Sequence, residues 1–346
     1  MVRLSSASPD ESPAALVAGV PPGPRATGGW WRVGRMVGRR LLLGLLTLWV
    51  VSLVIFLSTE LLPGDLAAKI LGQSATPETL AALRERLGLN DPAPLRYWNW
   101  LSGAVVGDFG TALASGRPVG ELIAGRLGST LFLALYAAAL SIPLSLLLGV
   151  LCALWRGSLF DRAANALTLT SISFPEFFVG YILIFLLAQG GWFPSMARVS
   201  PGMGLGATLH ATFLPALTLT LVVTAHMMRM TRAALINLLA SPYIEMARLK
   251  GLSPLRVILR HALPNALAPI INVVALNLAY LITGVVVVEA VFVYPGLGQL
   301  MVDSVANRDL PVVQAAALLF AAAYVLLNLL ADVLSTLSNP RLMHRR

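Results

Sequence analysis

Residues 241–265 read SPYIEMARLKGLSPLRVILRHALPN. The stretch is polar, yet it lies between two long apolar runs, 210–228 and 266–288. Two helix starts sit inside it. Ser241-Pro242 and Ser253-Pro254 each place an N-cap hydroxyl before a proline, whose fixed φ and missing N–H suit the first helical position. Gly251 ends the first helix, because the left-handed backbone of a helix C-terminus favours a residue without Cβ. Within 254–261, Leu255, Ile258 and Leu259 share one face by i, i+3, i+4 spacing, and Arg256 and Arg260 share another. The spacing predicts a short helix, a glycine corner and a short amphipathic helix whose apolar face needs a partner.

Outward from this stretch the chain is mostly apolar. Of 346 residues, 57% are hydrophobic and only 12% are charged, against about 25% charged in soluble domains. Long uncharged runs with that deficit define an integral membrane protein. The net charge of +9 does not point to nucleic acid, because the basic residues flank the apolar runs instead of forming one patch. Cys152 stands alone inside an apolar run, so the chain has neither an internal disulfide nor a multi-cysteine metal site. It reads as a small buried hydrophobe.

Taken in order, residues 1–34 hold prolines and many small residues and read as a disordered cytoplasmic tail. Arg32, Arg35, Arg39 and Arg40 precede the first apolar run at 41–57, an uncleaved span. Residues 63–126 form the longest polar segment, an extracytoplasmic insertion. In it Thr76-Pro77-Glu78 starts a helix with Leu80, Leu83 and Leu87 on one face. Tyr97, Trp98 and Trp100 suit a headgroup interface. Five more spans follow, at about 127–155, 163–189, 210–228, 266–288 and 310–331. Pro175-Glu176 interrupts the third. The permease-like body therefore runs from 35 to 340, with 241–264 as a cytoplasmic loop and 341–346 as a cytoplasmic tail.

Charge supports that topology. Six Lys and Arg precede the first span, two follow the second, six surround the 241–264 loop and three end the chain. These 17 of 25 share the side of both termini, as the positive-inside rule asks of the cytoplasm. Catalytic signatures are missing. Neither lysine, Lys69 or Lys250, sits in a phosphate-cradling G-x-x-x-x-G-K-[ST] loop. His210, His226, His261 and His344 form no H-E-x-x-H pair, and no G-x-S-x-G elbow occurs.

The 241–265 stretch resembles the EAA loop of permease subunits of ABC importers, through Glu245, Ala247, Gly251, Leu263 and Pro264. Met246 stands in the second small position, and His261 stands where that pattern usually has Ile. Other runs resemble the dipeptide and oligopeptide subfamily: Leu62 to Asp65, Leu89 to Pro92, Gly107 to Gly110, Pro175 to Gly180, and Val288 to Phe292 with the Pro295 to Gly298 turn. The resemblance implies an all-α membrane fold with six transmembrane helices of the type I importer kind. It implies a permease subunit in a bacterial cytoplasmic (inner) membrane, multi-pass, with both termini cytoplasmic. The implied partners are the lipid bilayer, a second homologous permease, two ABC ATPase subunits and an extracytoplasmic solute-binding protein. Nucleic acid is not among them. No cofactor or metal is expected on this chain; ATP and Mg²⁺ belong to the ATPases. By the same resemblance Glu245, Ala247, Arg248, Gly251, Leu252, Arg256, Leu263 and Pro264 couple to the ATPase.

Polar residues within the spans carry a second expectation. Glu176, Asn272, Asn277 and Glu289 must face protein or water, since lipid leaves them unsatisfied. They are candidates for a substrate pathway, and helix–helix hydrogen bonding is the plainer account. Glu289 reads either as a gate element or as an interfacial carboxylate reached by water. Glu176 is a candidate to attract the amino group of a peptide. Two other classes are considered: an ion-coupled secondary transporter using these carboxylates, and a membrane scaffold or insertase component. Neither accounts for the spacing around Gly251.

Overall fold

The computed structural model describes residues 29–61, 66–86, 88–200 and 202–338. Most of the expected tail at 1–34, the run from Leu62 to Asp65, Leu87 and the tail at 341–346 lie outside these residues. The chain is all-α where described, with a single isolated bridge, Thr111 to Pro118, as its only extended pairing.

The first helix, α1, spans Gly29–Glu60 and so begins inside the stretch expected to be tail. No proline occurs between Pro24 and Pro63 to stop it. Four short helices build the polar insertion: α2 at Leu66–Leu71, a 3₁₀ turn at Gly72–Ser74, α3 at Pro77–Arg86 and α4 at Ala93–Val105. Thr76 caps α3, accepting from the Thr79 N–H at 3.2 Å while Thr79 Oγ1 accepts from the Thr76 N–H at 2.8 Å. The insertion is sewn to the bundle by polar contacts. Tyr97 and Ser52 share a hydrogen bond of 2.8 Å, Arg96 pairs with Glu60, and the Asp309 carboxylate accepts from the N–H groups of Leu113 and Ala114 at 2.9 and 3.0 Å.

The remaining helices form the bundle. They are α5 (Val119–Leu154), α6 (Leu159–Ser173), α7 (Glu176–Leu183, continued by a π turn at Ile184–Ala188), α8 (Leu205–Ala211) and α9 (Phe213–Leu239). Then come α10 (Pro242–Leu249), α11 (Pro254–Arg256), α12 (Leu263–Val291), α13 (Leu297–Ala306) and α14 (Leu310–Ser338). Among the described residues five helices are long and apolar enough to cross a bilayer: α1, α5, α9, α12 and α14. Of these, α9 is the most enclosed, with 67% of its most apolar window buried, and α1 the least, at 11%. So α9 is the hub and α1 an outer helix lying on α14.

Small residues set the close approaches. A Cβ on Gly149 of α5 would stand 2.9 Å from Thr231 of α9, and one on Gly44 of α1 would stand 2.9 Å from Val325 of α14. Without a hydrophobic drive between helices in lipid, such contacts supply the packing energy.

The third crossing is broken where Pro175-Glu176 interrupts it, as the sequence predicts. Helices α6 and α7 meet at Phe174-Pro175 with a bend of 106°. Pro175 has no N–H and pushes Phe174 into extended backbone, so the helix cannot run through. The pair still traverses the bundle. Asp161 of α6 binds Arg232 near the loop end of α9, while Gly180 of α7 packs on Val291 and Phe292 at the opposite end of α12. Counted as one broken crossing, the pair brings the spans among the described residues to six.

Candidate functional site

The polar loop after α9 begins with Pro242 at the first helical position, as the sequence predicts. The serine hydroxyls behave differently. Ser241 Oγ donates to the Leu238 carbonyl at 2.5 Å, satisfying the last turn of α9, and neither Ser241 nor Ser253 caps the helix after it. Gly251 sits at φ +77°. Its N–H donates to the Arg248 carbonyl at 2.9 Å, and the Leu252 N–H donates to the Ala247 carbonyl at 3.3 Å. This is a Schellman corner, completed by apolar packing of Leu252 in the same cluster as Ala247.

The second short helix is one turn of α-helix followed by a π turn, Val257–Ala262, that runs directly into α12. Pro264 explains the wide turn. It offers no N–H to the Arg260 carbonyl and its ring crowds that carbonyl, so the Leu263 N–H bonds instead to Ile258, five residues back. The changed register corrects the expected apolar face. Val257, Ile258 and Ala262 point inward and are at most 3% exposed, whereas Leu255 and Leu259 are about half exposed, at 52% and 49%.

The loop therefore has an anchored side and a bare side. Ile244, Ala247, Val257 and Ala262 form one buried cluster with Ala153 of α5, Leu235 of α9, and Ala266 and Ile270 of α12, and Leu252 and Leu263 pack against it. Burying six such apolar side chains is worth on the order of 10 kcal/mol, which anchors the loop on three spans. On the bare side Tyr243, Met246, Leu249, Leu255 and Leu259 are exposed, interleaved with exposed Glu245, Arg248, Arg256 and Arg260. Gly251 and Pro264 are also at the surface. The sequence reading missed the apolar members of this face, of which Leu259 is turned outward by the π turn.

A buried ion pair stands one layer deeper. Asp161 is 3% exposed and accepts from Arg232 Nε and Nη2, both at 2.7 Å, from the Gly157 N–H at 2.9 Å and from Asn165 Nδ2 at 2.8 Å. The bidentate geometry fixes the start of the broken span to the hub helix.

The four candidate pathway residues divide. Asn277 is 6% exposed, and its Nδ2 donates to Val273 of its own helix at 2.8 Å. Glu289 has no exposed surface. Its Oε1 accepts from Thr130 Oγ1 at 2.7 Å, and its Oε2 accepts from the N–H groups of Gly298 at 2.7 Å and Gln299 at 3.2 Å. Thr130 Oγ1 in turn accepts from the Leu297 N–H at 2.7 Å. Three N-terminal N–H groups of α13 are thus satisfied by one carboxylate and one hydroxyl, where the helix dipole also favours negative charge. Gly296 is required here, because a Cβ would occupy the space of the Glu289 carboxylate, and Gly298 lets α13 approach Val286. The expectation of a carboxylate reached by water is corrected: Glu289 is sealed and caps α13 from inside. Asn277 is likewise internal, through back-bonding to its own helix.

Glu176 and Asn272 do reach the surface. Glu176 opens α7 at the break, its carboxylate lying against Gly284 of α12. Beyond the spans, Tyr294 donates to the Ser129 carbonyl at 2.9 Å, and burial pushes its hydroxyl up to about 12. No group of three or more metal-ligating side chains occurs among the described residues.

The described helices thus surround a buried hub and carry a loop that is anchored on one side and bare on the other. A family model described as the binding-protein-dependent transport system inner membrane component matches residues 145–344, and its N-terminal companion matches 33–134. The chain belongs to this family: it is a multi-pass inner-membrane permease subunit of an ABC importer, itself non-catalytic, working with ATPase and binding protein. It is 38% identical over 313 residues to a probable peptide ABC transporter permease, y4tP, of Sinorhizobium fredii, covering 90% of this chain and all of that protein. It is 39% identical over 306 residues to the glutathione transport system permease GsiC of Escherichia coli K12, covering 88% and 97%. A solved structure of the MetNI methionine ABC transporter in inward-facing form matches the fold with a TM-score of 0.51 and 21% identity, over 63% of this chain and 96% of that one. The secondary-transporter alternative falls with these matches.

Proposed function

We propose that this chain forms half of the translocation pathway for peptides or peptide-like small solutes, glutathione among them, and that it takes its power stroke through the loop around Gly251. Peptide and glutathione permeases as relatives support the substrate class. A second homologous permease supplies the other half, two ATPase subunits holding ATP and Mg²⁺ dock on the cytoplasmic side, and a solute-binding protein delivers substrate outside. Both termini face the cytoplasm, which the excess of basic residues on that side supports.

The observation that carries the coupling role is the two-sided loop. Its inner face is packed on α5, α9 and α12, while Met246, Leu249, Leu255 and Leu259 stand bare beside Arg248 and Arg256. An apolar patch rimmed by charge on a membrane protein's aqueous side is an interface awaiting its partner. Closure of the ATPase dimer would carry the loop, and the shared cluster would pass the movement to three spans. Glu245, Arg248, Gly251, Arg256 and Pro264 serve the outer contact, and Ala247, Leu252 and Leu263 the inner one.

The test is Leu255→Asp with Leu259→Asp. Both positions are about half exposed, so the fold should survive. The variant should reach the membrane in normal amount but fail to co-purify with the ATPase subunits. Retention of the ATPases at wild-type stoichiometry would refute docking on this face.

A further inference from the structure

Among the carboxylates on the spanning helices, the fold treats Glu289 and Glu176 oppositely. The oxygens of Glu289 are taken up by Thr130, Gly298 and Gln299, and the group is sealed. Glu176 has one side chain placed to interact with its carboxylate among the described residues, the Tyr280 hydroxyl, and no Lys, Arg or His within ion-pair distance. An ionised carboxylate offers about four lone-pair sites. One is used, so most of its accepting capacity is unspent on the protein.

The surroundings turn that capacity into a seat. A Cβ on Gly284 would stand 2.8 Å from Glu176 Oε2, so only glycine lets the carboxylate rest against α12. Tyr280 is 43% exposed, and its ring lies 5.8 Å from the His226 ring, centroid to centroid. Thr283 and Asn272 lie on the same exposed face of α12, which also carries Leu276 and Val287. The 106° break at Pro175 places Glu176 at this face and leaves backbone polar groups free near it.

We propose that Glu176, seated on Gly284 and flanked by Tyr280 and His226, is a station for the ammonium group of the passing solute. The proposal rests on the pathway reading above. A carboxylate with open lone pairs binds an ammonium by charge-assisted hydrogen bonds, and an exposed tyrosine face adds cation–π attraction. Every unblocked peptide carries one α-ammonium whatever its side chains. A single carboxylate of this kind recognises the class and leaves sequence preference elsewhere.

The experiment uses the complete transporter in membrane vesicles, in a Cys152→Ala background. Thr283→Cys reports on the station and Asn90→Cys, on the exposed insertion, is the reference. Each is reacted with a cationic (aminoethyl) and an anionic (sulfonatoethyl) methanethiosulfonate. A unit charge within a few ångströms of the reporter should make the cationic-to-anionic rate ratio about tenfold higher at 283 than at 90. Glu176→Gln should bring the two ratios together. Reaction at 283 with the same ratio as at 90 in the Glu176 chain overturns the station and leaves the pathway standing; this comparison needs no variant at 176. A raised ratio that survives Glu176→Gln also overturns it. No reaction at 283 with either reagent overturns the pathway reading, and the station with it.

Discussion

The internal cap at Glu289 makes a sharp energetic demand. Glu289→Ala strips three donors of their acceptor in a site with no exposure. Hydrogen bonds to a charged group are worth about 1.5–3 kcal/mol each, and a buried donor left alone costs about 1–3. Two of the three bonds are short, 2.7 Å, so we expect a loss of about 4–6 kcal/mol for alanine. Glu289→Gln is the telling variant. Its amide oxygen can serve one side of the network, but its NH₂ must then face either the Gly298 N–H or the Thr130 hydroxyl, which already accepts from Leu297. The expected loss is about 2–3 kcal/mol. At roughly 2 °C per kcal/mol for a large chain, the apparent unfolding midpoint should fall about 5 °C for glutamine and about 10 °C for alanine. The midpoint is read from the temperature at which fluorescently tagged permease leaves the monodisperse peak on size exclusion of the detergent-purified complex. Glutamine at the wild-type midpoint would refute the cap. So would loss of uptake at an unchanged midpoint, which would return Glu289 to a gating role.

Three further outcomes are expected. Gly296→Ala should destabilise about as much as Glu289→Ala, and the double variant should be less than additive, because the new Cβ and the carboxylate claim the same space; full additivity in the same assay would separate them. Gly251→Val should insert normally but leave ATP hydrolysis uncoupled from uptake, since φ +77° costs a side chain about 1–2 kcal/mol and the corner must shift; wild-type uptake would show that the corner tolerates it. In intact cells, Asn90→Cys should react with an impermeant thiol reagent while Ser253→Cys reacts only after permeabilisation, and the opposite pattern would invert the topology.

Helix existence was legible because it depends on length and apolarity, and 29 uncharged residues cannot be hidden from a bilayer. The Gly251 corner was legible for a similar reason: one local backbone requirement, met by one residue type. What escaped depends on partners far along the chain or on a shifted helical period. The outward turn of Leu259 contradicts a 3.6-residue reading because Pro264 imposes a π turn. The sealing of Glu289 needs Thr130, 159 residues away. Pro175 marks the break, but the 106° angle follows from where α7 seats on Gly284, Val291 and Phe292. The Ser241 hydroxyl was misassigned because the finished helix behind it competes for the same group.

The broken third crossing also constrains how the protein is made. At about 1.5 Å per residue, the 15 residues of α6 reach roughly 22 Å, and the 8 of α7 with its 5-residue π turn reach less than 20 Å. A hydrocarbon core is about 30 Å thick. Neither half can therefore leave the insertion machinery for lipid as a stable span. The pieces that hold them are synthesised later: Arg232 for the start of α6, then Gly284, Val291 and Phe292 for α7. The chain must keep this segment sheltered through the synthesis of at least another hundred residues, and its topology is settled only when α12 arrives to receive it.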